Sequence, residues 1–193
     1  MPGILPYPWQ TDTSIGDWYY NRDWKYRPVS WVIHLLVDIV SKNGNLLLNV
    51  VQRPDGSLDP EVEQQLADLA RWFETHGEAI YGTRPWAVFG EGPTRVRGGG
   101  FKEDFAFGPS DIRFTTKGDV LYAMALGWPT NGVMAIRSLA RAAGEVRTVE
   151  LLGAEKPPAW KQTETALEIT VPVVPLNPWT CAVRIRGAGL KPA

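Results

Sequence analysis

The chain has 193 residues, enough for one ordinary domain or two small ones. Its 20 basic and 21 acidic residues leave a formal charge of −1, so it carries no electrostatic footprint for nucleic acid or for an anionic membrane surface. A single cysteine, Cys181, excludes an internal disulfide, and with His34 and His76 as the two histidines neither a His-rich metal site nor a cofactor is expected.

The start, Met1-Pro2-Gly3-Ile4-Leu5-Pro6, has no basic stretch followed by an apolar core, so no signal peptide is expected. No apolar run approaches the ~18 residues of a membrane-spanning helix, so none is predicted. Tryptophan is the outlier, with nine in the chain. Tyr7, Trp9, Trp18, Tyr19, Tyr20, Trp24, Tyr26 and Trp31 crowd one short stretch. Flat faces with polar tips suit a sugar ring, whose C–H face stacks while its hydroxyls find partners. The alternative is that these rings fill a core or plug an interface.

In chain order, a short strand is predicted around Trp9–Ile15 within an otherwise irregular start. Pro28 ends that region, and apolar Val29, Val32, Ile33, Leu36 and Val40 predict one face of a helix running to Ser41. His34, Asp38 and Ser41 fall on its other side. Lys42-Asn43-Gly44 reads as a helix stop, a cation at the negative end of the dipole followed by residues that tolerate positive φ. Asn45–Val51 is apolar without alternation, which predicts a strand buried on both faces, as in a parallel sheet. After a Pro54-Asp55-Gly56 turn, Asp59 is placed to cap a second helix, with Pro60 at its first position and Glu61 near its positive end. Val62, Leu66, Leu69 and Phe73 form its stripe, and Gly77 ends it.

Beyond Gly82 helical periodicity gives way to strand signals. Ile112–Thr115 and Val120–Met124 flank a Lys117-Gly118 turn and predict a hairpin. Val133–Ile136, Val146–Leu152, Leu167–Val173 and Cys181–Ile185 are further strands, and such a series of short strands predicts an antiparallel β-sandwich. Residues 90–110, with Gly98-Gly99-Gly100, read as a loose surface connection. The fold class is therefore α/β plus all-β, divided as 1–85 and 86–193. The first part offers too few strands to complete a sheet buried on both faces, so it reads as the end of a larger parallel sheet or barrel, or as a piece that another chain completes.

Phosphate-binding glycine motifs and the Gly-x-Ser-x-Gly elbow are absent, so neither nucleotide chemistry nor a serine hydrolase is indicated. His34 and Asp38, four apart on one helix, could form a dyad, against a solvated face or a satisfied core histidine. Asp12, Asp17 and Asp23 interleave with the aromatics. Retaining glycoside hydrolysis needs two carboxyl groups about 5 Å apart, and Asp12 and Asp17 could approach that on a loop; the alternative is hydroxyl binding or turn stabilisation. In a barrel, chemistry sits at the carboxyl ends of the strands, where Asp17, Trp18 and Tyr19 would follow the first strand.

The run from Pro8 to Tyr20, PWQTDTSIGDWYY, resembles the penultimate barrel strand and loop of α-L-fucosidases of glycoside hydrolase family 29. VDIVSKNGNLLLNV, from Val37 to Val50, resembles that family's last barrel strand and the helix before it, and Gly77–Thr83 resembles the end of its last barrel helix. Residues 87–193 match its C-terminal β-sandwich more loosely. The resemblance implies the C-terminal part of a (β/α)8-type barrel followed by an antiparallel sandwich. It implies a retaining exo-glycosidase that removes terminal α-L-fucose, through an Asp nucleophile and a second carboxylic acid that acts as acid and base. In the family pattern both carboxyl groups precede the segment present here, so no catalytic residue is carried over, and Gln10 stands where many relatives have Glu. The family's loop aromatic that packs on fucose matches Trp18, or Tyr19 if the alignment shifts by one; Trp9, Asp12 and Asp17 are further candidates to line the pocket. The implied partner is a fucosylated glycan or fucoside. The competing reading is a non-catalytic carbohydrate-binding or assembly module. At about 25 cal/mol per Å², a few hundred Å² of uncovered apolar surface would forfeit several kcal/mol, so association with the missing barrel part or self-association is also expected.

Overall fold

The structure, a computed structural model, describes residues 3–96 and 105–191; the expected loose segment at Gly98-Gly99-Gly100 lies outside the described residues. The chain opens with β1 (Trp9–Ser14), α1 (Val29–Ser41) and β2 (Gly44–Asn49). β1 and β2 pair in parallel, from Trp9 opposite Gly44 to Ser14 opposite Asn49. A parallel pair needs a crossover, and α1 supplies it over the bounds its apolar spacing predicts. Lys42 and Asn43 close the helix by donating backbone N–H groups to Ile39 and Val40, and Asn43 turns the chain at φ 70°. Gly44 is required by close packing, because a Cβ there would lie 2.6 Å from the Trp9 ring and 2.7 Å from Ile39.

α2 (Pro60–His76) follows, then a 3-10 turn at Gly77–Ala79. Pro60 opens α2 and Glu61 lies in its first turn, as expected, but Asp59 makes no side-chain cap. Its carboxylate is taken by Tyr26 and Arg53 instead. Gly77 does close α2, in right-handed geometry at φ −59°, which lets the chain continue into the 3-10 turn.

The remaining strands are β3 (Arg84–Glu91), β4 (Ile112–Lys117), β5 (Val120–Ala125), β6 (Val133–Ile136), β7 (Glu145–Leu151), β8 (Trp160–Gln162), β9 (Leu167–Thr170) and β10 (Cys181–Ala188). β3 starts at Arg84, beside the expected division, and neither β3 nor the three-residue β8 follows from the sequence reading. The hairpin β4–β5 turns at Lys117–Gly118 as predicted, with Lys117 opposite Val120. An antiparallel five-stranded sheet in the order β3-β4-β5-β10-β7 packs on a three-stranded sheet ordered β6-β9-β8. Phe114, Ala123, Val183 and Ile185 from the first interdigitate with Met134, Ile136, Leu167 and Ile169 from the second. This is the expected sandwich.

The outer face of the five-stranded sheet is also buried along β4, β5 and the start of β10, while Arg184, Arg186 and Glu150 stay partly exposed at its β10–β7 end. Tyr122, Met124 and Ala182 pack against Ile33 and Val37 of α1 and Trp72 of α2. The Trp72 indole donates 2.8 Å to Thr180 Oγ1, so the buried ring leaves no polar loose end. The other sides of α1 and α2 carry Trp31, Val32, Leu35, Ile39 and Val62, which pack with Trp9, Leu46 and Leu48 of the parallel pair. The two helices are thus a layer between the parallel pair and the sandwich.

β2 is not covered on both faces within this chain, as expected of a sheet that these strands do not complete: Leu46 and Leu48 turn to the helices, whereas Asn45 is exposed and Leu47 is 55% exposed. Gln10 and Asp12 of β1 are likewise exposed. The strand buried throughout is β5, caught between the helices and the second sheet. The polar side of α1 is not a solvated face either. Asp38 is buried, accepting 2.6 Å bonds from Lys42 Nζ and from Arg113 Nε of β4. Lys42 and Arg113 both lie over the Phe89 ring, at 4.7 and 5.4 Å. Burial pulls the Lys42 ammonium below its ordinary pKa, Asp38 opposes this, and Arg113 adds to it. Among the described residues, no helix is long and apolar enough to cross a membrane.

Candidate functional site

β1 and β2 end together, and their carboxyl ends are tied by side chains. Ser14 Oγ donates 2.7 Å to the Asp17 carbonyl and accepts from Asn49 Nδ2 at 3.0 Å and from the Gly16 N–H at 3.2 Å. Asn49 also reaches the Asp17 carbonyl at 3.3 Å, and its own carbonyl accepts the Ile15 N–H at 3.2 Å. Past the last ladder pair these groups would lack sheet partners, and the two side chains supply them. The consequence is a fixed exit angle for the loop 16–28.

The returning limb is fixed as well. The Arg27 N–H donates 2.7 Å to the Ile15 carbonyl. Trp24 and Tyr26 close over Gly16, where a Cβ would meet their rings at 3.0 and 3.1 Å. The Tyr26 hydroxyl donates 2.7 Å to Asp59, which also binds Arg53 at 2.6 Å. The Tyr26 bond first, and the Arg53 guanidinium with it, hold the Asp59 carboxyl below the usual carboxylate range. Burial and the Asp59 charge push the Tyr26 phenol up to about 12, so it stays a donor at any ordinary pH. The β1 loop is thereby pinned to the loop that follows β2.

The loop's apex presents aromatic surface to solvent, with Trp18 50%, Tyr19 68% and Trp24 45% exposed. Asp17 lies among them, its Oδ1 accepting the Trp18 N–H at 2.7 Å. Asp23 is exposed, and its N–H is held by Asn21 Oδ1 at 3.0 Å. Asp12 is an exposed residue within β1, opposite Leu47. Trp9 lies at the other end of β1, where its indole donates 2.9 Å to the Lys42 carbonyl. So the fold brings Asp17, Trp18 and Tyr19 to one mouth and places Trp9 and Asp12 further along the strand. His34 and Asp38 form no dyad: His34 Nε2 donates 2.9 Å to the Trp179 carbonyl, the satisfied-histidine reading, and burial lowers its pKa.

Ser14, Arg53 and Asp59 were not singled out in the sequence as members of this mouth; Tyr26 was named as one of the crowded aromatics, and Asn49 carried the signal of a polar residue ending an apolar strand. The assembly can stack a flat apolar face and offer carboxylate and hydroxyl groups at its edge. Among the described residues, no cluster of His, Cys, Asp or Glu could hold a metal ion.

Two family models match the chain, "Alpha-L-fucosidase" over residues 1–78 and "Alpha-L-fucosidase C-terminal domain" over residues 108–185. The chain belongs to the α-L-fucosidase family. The tissue α-L-fucosidase of Homo sapiens is 32% identical over 98% of this chain and 39% of its own length. That of Macaca fascicularis is 36% identical over 71% of this chain and 27% of its own length. The Thermotoga maritima α-fucosidase crystallised with fucose superposes with a TM-score of 0.73 at 31% identity, over 94% of this chain and 40% of that one. The chain thus spans about two fifths or less of these relatives, and within the family it represents the end of the barrel together with the C-terminal sandwich.

Proposed function

We propose that this chain forms part of the substrate pocket of a retaining α-L-fucosidase, with units 1–85 and 86–193 as end of barrel and sandwich. Trp18, with Tyr19 beside it, stacks on the apolar side of a terminal α-L-fucose. Asp17 lies at the edge of that wall, with Asp12 and Trp9 behind it along β1. The observation that carries the reading is the mouth itself: exposed Trp18 and Tyr19 at the carboxyl end of paired parallel strands, held there by Ser14 and Asn49. Barrel enzymes place substrate at that end.

Hydrolysis needs a nucleophile and an acid/base carboxyl group. Asp12 lies within β1 and Asp17 in the loop after it, where its Oδ1 accepts the Trp18 amide; the family resemblance puts both catalytic carboxyl groups ahead of this segment, so the reading assigns both roles to barrel strands beyond those of this chain. The open β1–β2 face, with Leu47 uncovered, supports association with such a barrel part or with a second copy. The purified chain is expected to release no p-nitrophenol from p-nitrophenyl α-L-fucoside. L-fucose is expected to change its tryptophan fluorescence, and Trp18→Ala to remove that response. Turnover abolished by Asp12→Asn or Asp17→Asn would overturn the division of labour. A fucose response that survives in Trp18→Ala would overturn the wall.

A further inference from the structure

The loop that carries Trp18 is supported from a direction that barrel architecture alone does not require. Behind its returning limb, the Arg27 guanidinium lies 4.6 Å from the centre of the Trp31 ring. Trp31, at the start of α1, is 8% exposed. Its ring stacks on Phe105 with centroids 6.0 Å apart and planes 6° from parallel. Phe105 belongs to the connection between β3 and β4, and so to the sandwich. It leans on Phe107 at 4.7 Å, and Phe107 lies beneath the Arg113 guanidinium at 4.9 Å. Arg113 is buried in β4 and fixed to Asp38 of α1.

The backbone on this path is also held. The buried Asp111 carboxylate accepts from the Thr94 N–H at 2.9 Å, the Thr94 hydroxyl at 2.8 Å and the Gly108 N–H at 2.9 Å. It therefore clamps both limbs of the β3–β4 connection beside the strands, and Phe105 and Phe107 reach α1 from a fixed base. Cation–π and stacking contacts are individually modest, but they are directional, and here they follow one another without a gap.

We propose that the segment Phe105–Phe107 leading into β4 of the sandwich is a positioning element for the sugar-facing loop, acting through Phe105 on Trp31 and through Trp31 on Arg27. The inference rests on reading that loop as the fucose wall. The sandwich then sets the angle at which Trp18 and Tyr19 meet a sugar. A wall that stacks on a ring tolerates only a small error in placement before contact is lost.

The test uses the full chain and amide hydrogen exchange, with L-fucose titration as a second arm. In Phe105→Ala the amides of residues 16–27 are expected to exchange at least about tenfold faster, while those of β5 and β10 keep their protection. Phe105→Tyr, which keeps the stacked ring, is expected to restore the slow rates. Arg27→Gln, a change at a half-buried residue outside the sandwich, is expected to loosen the same amides by a smaller factor. Unchanged exchange of the loop in both Phe105→Ala and Arg27→Gln would overturn the proposal, as would equal acceleration of β5 and β10, which would show general destabilisation. Where exchange loosens as expected, a weakened fucose response supports the full reading. A native chain that gives no fucose response, with the exchange result intact, sinks the sugar wall and leaves the mechanical coupling standing.

Discussion

Two sheets meet the same pair of helices, and their outer faces are treated oppositely. At its centre the five-stranded sheet is covered on both sides, by α1 and α2 on one and by the three-stranded sheet on the other, and every residue of its β5 is buried. The parallel pair β1–β2 is covered by the helices on one side only, and the side bearing Gln10, Asp12, Asn45 and Leu47 is open. α1 and α2 therefore pack in both directions, with Trp31, Val32, Leu35, Ile39 and Val62 toward the parallel pair and Ile33, Val37 and Trp72 toward the sandwich. The aromatic mouth lies on the less covered pair. Its geometry depends on side-chain bonds at the strand ends and on support from the sandwich.

The largest effects should lie where the two parts are fused. Asp38 balances Lys42 and Arg113 in a buried site. Asp38→Ala leaves two buried cations without an anion and is expected to cost about 3–5 kcal/mol, read as a lowered midpoint in urea unfolding. Phe114, fully buried in the sandwich core, should lose a similar amount as Phe114→Ala, about 3–5 kcal/mol. If Asp38→Ala instead loses less than about 1 kcal/mol, as exposed ion pairs do, the fusion of α1 to β4 does not contribute what its geometry implies.

A second effect comes from the helix layer. His76, at the end of α2, is 2% exposed, stacks on Trp72 with centroids 5.0 Å apart, and donates from Nδ1 to the Trp72 carbonyl at 3.1 Å. Burial lowers its pKa from 6.5 to about 4. Above the unfolded value, folded and unfolded chains are both neutral at this site, and its contribution to stability is complete. As pH falls, the unfolded chain takes up the proton first, so stability is lost across the window down to about pH 4 and levels off below it. At about 1.4 kcal/mol per unit, the loss is about 3 kcal/mol. Unfolding followed between pH 7 and pH 4 should show it, and His76→Phe, which keeps the stacked ring, should flatten that slope.

The sequence was most legible where one local rule acted alone. The spacing of Val29, Val32, Ile33, Leu36 and Val40 gave α1 its bounds, and the Lys117-Gly118 turn gave the β4–β5 hairpin. β3 and β8 escaped because a Pro-Trp-Ala-Val-Phe-Gly run and a three-residue edge carry no clean alternation; their strand character comes from neighbours. Leu46-Leu47-Leu48 reads as apolar on both faces, and the side uncovered at Leu47 is the one that a sheet of only two parallel strands leaves open. Asp59 had the sequence position of a cap, but its carboxylate is captured by Tyr26 and Arg53 from other loops. At the mouth, Trp18 and Tyr19 could be singled out by composition and resemblance. Ser14, Arg53 and Phe105 could not, because what they do depends on residues distant in sequence.

The smallest expected effect is the most direct test of the contrast between the two sheets. Leu47 is 55% exposed on the open face, so removing its side chain forfeits little burial within this chain. Leu47→Lys is expected to change unfolding stability by no more than about 0.5 kcal/mol, the range of ordinary surface substitutions. If that face is where a second copy or a barrel part docks, the same change should reduce self-association in size-exclusion chromatography, because a charge would have to be buried there without a partner. The two readouts separate the possibilities. Unchanged stability with reduced association identifies an interface that is open in the single chain. A loss of about 2 kcal/mol or more would mean that Leu47 is covered within the chain, and the contrast between the sheets would collapse.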